Sequence, residues 1–225
     1  MLRVFKEKLK VRFANRVDAG KRLASALKGL VGKDAIVLAI PRGGVVVGFE
    51  VAKAFGIPLD VIIPRKIGAP GNPELAIGAM TEDGTVLVDN VLVEQLGVSE
   101  AYIQRESEVQ KREIQRRLNL YRGYVPYPNL ENRSVILVDD GIATGSTMKA
   151  ALASVRNRGA KAVIIAIPVG PPSTIRELEE TADRVVCLYT PEPFYAIGQF
   201  YEDFAQTQDE EVTRLLKLIR VQKGD

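Results

Sequence analysis

Five aliphatic runs recur along the chain, and segments with helical spacing separate most of them. Continuous β-branched runs of this length are typical of strands that are buried on both faces. The alternation of strands with helices predicts an α/β fold with a doubly wound, mainly parallel central sheet. The runs are AIVLAI at 35–40, PLDVIIP at 58–64, SVILV at 134–138, KAVIIAIPVG at 161–170 and DRVVCLY at 183–189.

Segments with helical periodicity lie before, between and after these strands. Residues 99–121 are strongly charged, with opposite charges at i, i+4 spacing and a narrow apolar stripe. They predict a helix with a solvated face, and a dimer contact or a basic surface are the alternatives. A short strand is predicted at 85–88, followed by a short helix capped by Asp89. The other predicted helices cover about 13–30, 45–56, 147–159, 173–182 (with Ser173 as a possible cap) and 209–219.

The segment 67–84, IGAPGNPELAIGAMTEDG, is rich in Gly and Pro and is too long for an ordinary connection. It predicts a lid loop in a subdomain attached to the central sheet. Glu74 is its most noticeable acid, either as a functional lid residue or as a helix-capping or salt-bridging residue. With this lid, the whole chain 1–225 is predicted to form one domain.

Asp139 and Asp140 follow the central run directly, at the carboxyl end of a strand, where open α/β sheets bind ligands. The next loop has small and hydroxylated side chains and leads into a helix, so it exposes backbone N–H groups that suit a phosphate. Plain turn chemistry is the alternative. A nucleoside-triphosphate loop is excluded because Gly, not Lys, precedes Ser146. The loop candidates are Ala143, Thr144, Gly145, Ser146 and Thr147.

Two further strand ends carry basic residues. Arg42, Gly43 and Gly44 follow the first run and begin a helix, which indicates an anion site with a fixed cation or a tight turn with an exposed Arg. Arg65 and Lys66 follow the second run, where they could stabilise developing negative charge or be solvated at the surface.

The region near the carboxyl terminus gathers aromatic residues in a chain that is otherwise poor in them and lacks Trp. In TPEPFYAIGQFYEDF, residues 190–204, they predict either a core plug or a surface that stacks on a planar heterocycle. Phe194, Tyr195 and Tyr201 are the candidates for such stacking, in a segment at about 191–204 that is predicted to form a hood.

The amino-acid composition excludes several classes of catalytic and metal site. The chain has 225 residues and no His, which excludes Ser-His-Asp and Cys-His hydrolases and zinc sites with His ligands. Carboxylates, hydroxyls and backbone groups suit Mg²⁺ and phosphate chemistry. The net charge of +3 is too small to favour nucleic acid. The single Cys187 permits no intramolecular disulfide, and a cytoplasmic location is the simplest expectation. The charged start, MLRVFKEKLKVRF, predicts neither a signal peptide nor a membrane span.

The motif DDGIATGST, preceded by four aliphatic residues, resembles the phosphoribosyl-pyrophosphate (PRPP) motif of the type I phosphoribosyltransferases. Stretches such as PRGG, RKIGAPGNPELAIGA and VDDGIATGSTM are similar to a branch of predicted phosphoribosyltransferases whose base substrate is unassigned. The resemblance covers roughly residues 13–215. It implies that the paired acids hold the ribose hydroxyls and Mg²⁺, while the loop at 143–147 wraps the 5-phosphate.

The same resemblance assigns further roles by position. Arg42, Gly43 and Gly44 would bind pyrophosphate together with Arg65 and Lys66, and Lys66 would assist catalysis with the two acids. The lid would exclude water, and the aromatic segment would contact the base. Two departures stand out: Gly141 replaces a usual aliphatic residue, and Ala143 replaces the Asp that serves the 6-oxopurine enzymes as a general base.

These observations favour a Mg²⁺-dependent transferase that moves the 5-phosphoribosyl group from PRPP to a base, purine-like by preference, as in nucleotide salvage. A homo-oligomer, dimeric or larger, is expected. The alternative is a non-catalytic PRPP sensor, which could bind RNA through the charged helix at 99–121. A phosphosugar hydrolase that uses the same phosphate loop is the third hypothesis.

Overall fold

The computed structural model describes residues 12–221 and contains a large sheet and a small one. The expected absence of a signal peptide in MLRVFKEKLKVRF falls almost wholly outside this range. In chain order the strands are β1 (Ile36–Ala39), β2 (Leu59–Val61), β3 (Arg65–Ala69), β4 (Asn72–Met80), β5 (Val86–Val88), β6 (Ser134–Val138), β7 (Ala162–Val169) and β8 (Arg184–Tyr189).

Helices precede, separate and follow these strands, and within residues 12–221 none of them is long and apolar enough to cross a membrane. The helices are α1 (Arg16–Ala26), α2 (Gly43–Phe55), α3 (Asn90–Gln95), α4 (Glu100–Arg122), α5 (Ser146–Asn157), α6 (Pro172–Glu179) and α7 (Asp209–Val221), with a short 3-10 helix at Ile197–Phe200.

The large sheet has the order β2-β1-β6-β7-β8, and all its strand pairs are parallel. Alternate side chains of each strand enter different apolar layers, as β6 shows. Ile136 and Val138 pack in the layer that contains α1, α2 and α7. Val135 and Leu137 pack in the layer that contains α5 and α6. Helices on both faces of a parallel sheet confirm the predicted doubly wound fold.

The small sheet has the order β3-β4-β5 with antiparallel pairs, and it corrects the prediction of a loop at 67–84. Its glycines allow close strand approach instead of marking a loop. A Cβ on Gly68 would lie 2.7 Å from the Pro73 backbone, and one on Gly78 would lie 2.5 Å from the Leu87 carbonyl oxygen. Gly71 turns the β3–β4 hairpin at φ 74°.

The helix boundaries agree with the sequence at α3 and α4, where Asp89 and Ser99 act as side-chain N-caps. The prediction of Ser173 as a cap is wrong, because α6 begins at Pro172 and its N-cap, Pro171, has no side-chain acceptor. Cys187 is half-buried, and burial raises the pKa of its thiol to about 11.

The strand order creates one crevice in the large sheet. From β1 the chain crosses to β2 on one side, whereas from β6 it crosses to β7 on the other side. The loops after β1 and β6 therefore diverge, and ligands of open α/β sheets bind at such a switch point. These two loops carry the PRGG and DDGIATGST sequences.

Candidate functional site

The two acids stand immediately after β6, and both are partly exposed. The backbone N–H of Asp140 donates to Oδ1 of Asp139 at 2.8 Å, which orients the first carboxyl group. The pKa of Asp139 is raised, because the surrounding protein desolvates its carboxyl group and the neighbouring Asp140 carboxylate repels its charge. The pair thus combines crowded negative charge with a shortage of water, which favours a cation or hydroxyl donors.

Asp140 is held by two residues that are distant in the sequence. Arg16, in the first turn of α1, donates from Nε to Oδ2 of Asp140 at 2.7 Å. The Tyr201 hydroxyl donates to the Asp140 carbonyl oxygen at 2.6 Å. Asp18, two residues further along the chain, pairs with Arg22 and not with Arg16, at 2.8 Å.

The PRGG loop packs directly against the acids. It follows β1 with a cis peptide between Pro41 and Arg42, and α2 begins at Gly43. A Cβ on Gly43 would lie 1.9 Å from Oδ2 of Asp140, and one on Gly44 would lie 3.0 Å from Oδ1 of Asp139. Only glycine permits this approach, so the loops after β1 and β6 form one site.

Arg42 points toward the start of α7. Its NH1 lies 3.8 Å from Oδ1 of Asp209, and the Tyr121 hydroxyl donates to the same oxygen at 2.5 Å. About a quarter of the Arg42 side chain is exposed, at 28%. The guanidinium therefore extends from the PRGG loop to Asp209 at the start of α7.

The loop between Gly141 and α5, for which the sequence predicts a phosphate site, leads directly into the N-terminus of the helix. Gly145 adopts the left-handed conformation at φ 74° and precedes Ser146, the first residue of the helix. The Thr174 hydroxyl donates to the Ala143 carbonyl oxygen at 2.7 Å and holds the loop from outside. Ala143 and Thr144 are exposed, while Ser146 and Thr147 are half-buried at the helix N-terminus. Free N–H groups at this end of α5 suit an anion.

Arg65 and Lys66 lie on the small sheet, not at the end of a parallel strand as predicted. Arg65 donates to the Gln110 side chain of α4 at 2.9 Å. Lys66 is exposed and, because strand side chains alternate, it faces the opposite side of β3 from Arg65. Its ladder partner Ala79 and Ser146 of α5 line a common cleft, so Lys66 lies on the side of the α5 N-terminus.

Glu74, the predicted lid acid, is an exposed residue of β4. Among residues 12–221 it makes no salt bridge or side-chain hydrogen bond, so neither its salt-bridging nor its capping alternative is realised there.

The three aromatic candidates occupy different environments. Tyr195 is 82% exposed, and Phe194 is half-buried against Phe200 with ring centroids 5.3 Å apart. Tyr201 is only 4% exposed and packs between Phe13 and Phe204. This burial does not fit the expected contact of Tyr201 with a base, and the core-plug alternative describes it better. Its hydroxyl instead orients the loop that begins with Asp139 and Asp140, which we call the acid loop.

The acid pair fits Mg²⁺ only with help from a ligand. Within residues 12–221, no group of three or more His, Cys, Asp or Glu side chains gathers as a metal site. Asp139 and Asp140 supply two carboxylates, and proteins commonly hold Mg²⁺ through one or two carboxylates plus substrate oxygens and water.

Three contacts of the site were not predicted: Arg16 to Asp140, Tyr201 to the acid loop, and Asp209 to Arg42. Each joins segments that are more than 60 residues apart, so no local periodicity reports it. The sequence contains one indication of such contacts. The glycines at 43 and 44 indicate that another part of the chain approaches the PRGG loop closely.

Comparisons with known proteins bear on this site. A family model described as "Phosphoribosyl transferase domain" matches residues 13–205. Two Mycobacterium tuberculosis proteins are each 45% identical over 204 residues, which is 91% of this chain and 46% of the relative. They are named "Putative phosphoribosyl transferase MT0597" (strain CDC 1551 / Oshkosh) and "Putative phosphoribosyl transferase Rv0571c" (strain ATCC 25618 / H37Rv). The chain spans about half the length of these curated relatives.

A solved structure, the crystal structure of TT1426 from Thermus thermophilus, is similar over nearly the whole chain. It is 41% identical with a TM-score of 0.79, and the match covers 91% of this chain and 97% of that chain. The fold described above is therefore also the fold of a relative that has been crystallised.

Proposed function

Because the chain belongs to the phosphoribosyl transferase family, we propose that it transfers the 5-phosphoribosyl group of PRPP to a nitrogenous base and releases pyrophosphate. The observation that carries this proposal is the contact between the PRGG loop and the acid pair, with a Gly43 Cβ position only 1.9 Å from Asp140. This contact supports the proposal that sites for two anions and for hydroxyl groups share one crevice, as a sugar phosphorylated at both ends requires.

Each subsite has a defined task in the reaction. Asp139 and Asp140 accept hydrogen bonds from the ribose 2- and 3-hydroxyls, while the backbone of residues 143–147 holds the 5-phosphate. Arg42, Gly43 and Gly44 hold the pyrophosphate, with Lys66 nearby. Mg²⁺, held by Asp139, Asp140 and substrate oxygens, would supply positive charge beside the leaving group.

The chemical step exchanges two bonds at C1 of the ribose. The lone pair of a base nitrogen forms the new C–N bond, the C1–O bond to pyrophosphate breaks, and its electron pair leaves with pyrophosphate. The carboxylates of Asp139 and Asp140 stabilise the positive charge that develops on the ribose. Because Ala143 offers no proton acceptor, the proton on the attacking nitrogen leaves to solvent or to a group of the substrate itself.

The base subsite is proposed at the hood segment, residues 191–204, where Tyr195 and Phe194 remain the aromatic candidates. A purine-like base suits the area of two rings. Tyr195→Ala should raise KM for the base by about tenfold, within the range of base–aromatic stacking, and should leave KM for PRPP unchanged. An equal rise in both KM values would contradict this assignment.

The RNA-binding alternative receives little support from α4. Arg116 and Arg117 both pair with Glu113 at 2.8 Å, and Arg122 is buried with Asp60 at 2.8 Å. These pairs engage three of the six cations of α4, whereas Arg105 and Arg112 are exposed, so the helix offers a phosphate backbone fewer charges than its sequence alone indicates.

The proposal is tested by incubating the protein with Mg²⁺, PRPP and a panel of purines, pyrimidines and nicotinate-like bases while pyrophosphate is measured. Base-dependent pyrophosphate release is expected, and Asp139→Asn/Asp140→Asn should lower it by about a hundredfold or more. Asp34→Asn, at the amino end of the large sheet, is the matched control. Release without any base would favour the hydrolase hypothesis, and PRPP binding without release would favour the sensor.

A further inference from the structure

Arg16 contacts the acid pair and the carboxyl-terminal part of the chain with one guanidinium group. Its Nε donates to Oδ2 of Asp140 at 2.7 Å, and its NH1 donates to the Ala205 carbonyl oxygen at 2.7 Å. Its Cζ lies 3.9 Å from the ring centroid of Phe204, in a cation–π contact. The Arg16 side chain is only 12% exposed, so these contacts fix its position.

A second connection joins the same two parts of the molecule. The Tyr201 hydroxyl donates to the Asp140 backbone, and the Tyr201 ring stacks on Phe204 at 4.8 Å. Asp140 is therefore attached by its side chain and by its backbone to the segment at 200–205. Phe200 of that segment packs against the base candidate Phe194.

Arg16 also touches the PRGG loop, because a Cβ on Gly43 would lie 2.5 Å from its Nε. The guanidinium thus lies where the acid loop, the PRGG loop and the hood segment meet. A ligand that moves Asp140 disturbs Arg16, because the two side chains are hydrogen-bonded, and Arg16 also contacts Phe204 and Ala205. A planar group with several donors can make these contacts at once, whereas a Lys ammonium cannot.

We propose that Arg16 is a positioning residue that couples the ribose subsite at Asp140 to the hood segment, so that PRPP binding changes the order of the hood. This inference rests on the proposed function and adds a link between its two substrate subsites. Arg16 acts through Asp140 and Phe204 and needs no contact with the base.

Hydrogen–deuterium exchange with PRPP and Mg²⁺, but without any base, tests the coupling. In the wild-type protein PRPP should slow exchange by about fivefold or more in peptides covering 139–147 and in peptides covering 196–207, at the lower end of typical coupling between sites. In Arg16→Gln, at PRPP concentrations that saturate the variant, only the first set should be protected. Arg22→Gln, on the same helix, should behave as the wild type.

Arg16→Lys gives a second and independent reading, because it keeps the charge and places little strain on the fold. It should recover PRPP affinity relative to Arg16→Gln, as measured by calorimetry, while the hood peptides stay unprotected. Hood protection that persists in both variants, or that is missing in the wild type while 139–147 is protected, would overturn the coupling. A wild-type protein in which PRPP protects neither region would instead contradict the proposed function.

Discussion

The acid loop and the small sheet, which both carry candidate residues, differ in how firmly those residues are held. Asp140 is fixed at its carboxylate by Arg16 and at its backbone by Tyr201, and Gly43 packs directly against it. Lys66 and Glu74 are exposed side chains on the β3–β4 hairpin. The difference teaches that the acid pair, the proposed ribose site, is preorganised, whereas the small sheet contributes charges that solvent still screens.

Gly43→Ala is the variant that we expect to disturb the acid loop most. A methyl group there would lie 1.9 Å from Oδ2 of Asp140 and 2.5 Å from Nε of Arg16, so the two loops must separate. We expect base-dependent pyrophosphate release to fall by about a hundredfold, because misplacement by about 1 Å has effects of this size. The loss of stability should be about 1–3 kcal/mol, measured by denaturant unfolding.

Gly71→Ala is the matched control for this change. Gly71 has φ 74° in the hairpin turn, and a Cβ there would meet nothing within 4 Å. The Gly71→Ala variant should lose stability through backbone strain. Its activity should be unchanged, because the added methyl group does not reach the acid loop. An active Gly43→Ala protein would show that the acid loop is less fixed than its contacts indicate.

Tyr201→Phe tests the same region more gently. It removes the hydroxyl that donates to the Asp140 carbonyl oxygen at 2.6 Å and leaves the ring packing intact. We expect a loss of about 0.5–1.5 kcal/mol in stability and up to a tenfold loss in kcat. Tyr189→Phe, whose ring packs edge-on against Phe200, is the control for a change in the same aromatic cluster. Equal effects of the two variants would mean that the hydroxyl does not position the acid loop.

The two regions also differ in how well the sequence predicts them. The large sheet and its acid loop were predicted because aliphatic runs of four or more residues report burial on both faces, and the acids follow such a run directly. In the small sheet, β5 matches the strand predicted at 85–88, but β3 and β4 were mistaken for a loop because Gly68, Gly71 and Gly78 are typical of turns. Their role in close strand pairing depends on neighbours such as Pro73 and Leu87, which only the folded chain brings together.

Lys66→Ala and Glu74→Ala test whether the two exposed candidate residues of the small sheet contribute to activity. Lys66 lies on the face of β3 that is turned toward the N-terminus of α5, the proposed 5-phosphate site. Its removal should therefore raise KM for PRPP by about two- to fivefold, within the range for an exposed charge. The effect should shrink as salt is added. Glu74→Ala should change neither KM nor kcat. A loss of kcat in this variant would support the prediction that Glu74 is a functional lid residue.

The smallest expected effect concerns the junction between the two sheets. Glu82 follows β4, and its Oε2 accepts from the backbone N–H of Ile63, beyond β2, at 3.2 Å. Burial raises the pKa of Glu82 despite the nearby Arg122 and Arg158. The folded protein therefore holds this proton more tightly than the unfolded chain, so ionisation of Glu82 costs stability as pH rises above its unfolded pKa of about 4.3.

Glu82→Gln removes that cost and retains a carbonyl oxygen that can accept from Ile63. The variant should match the wild type in Tm near pH 4, and its Tm advantage should grow as the pH is raised through the pKa of Glu82 in the folded state. Glu177→Gln, an exposed partner of Lys149, should show no such growth. A variant that is less stable than the wild type at neutral pH would mean that the ionised Glu82 holds the small sheet to the large one through its arginines.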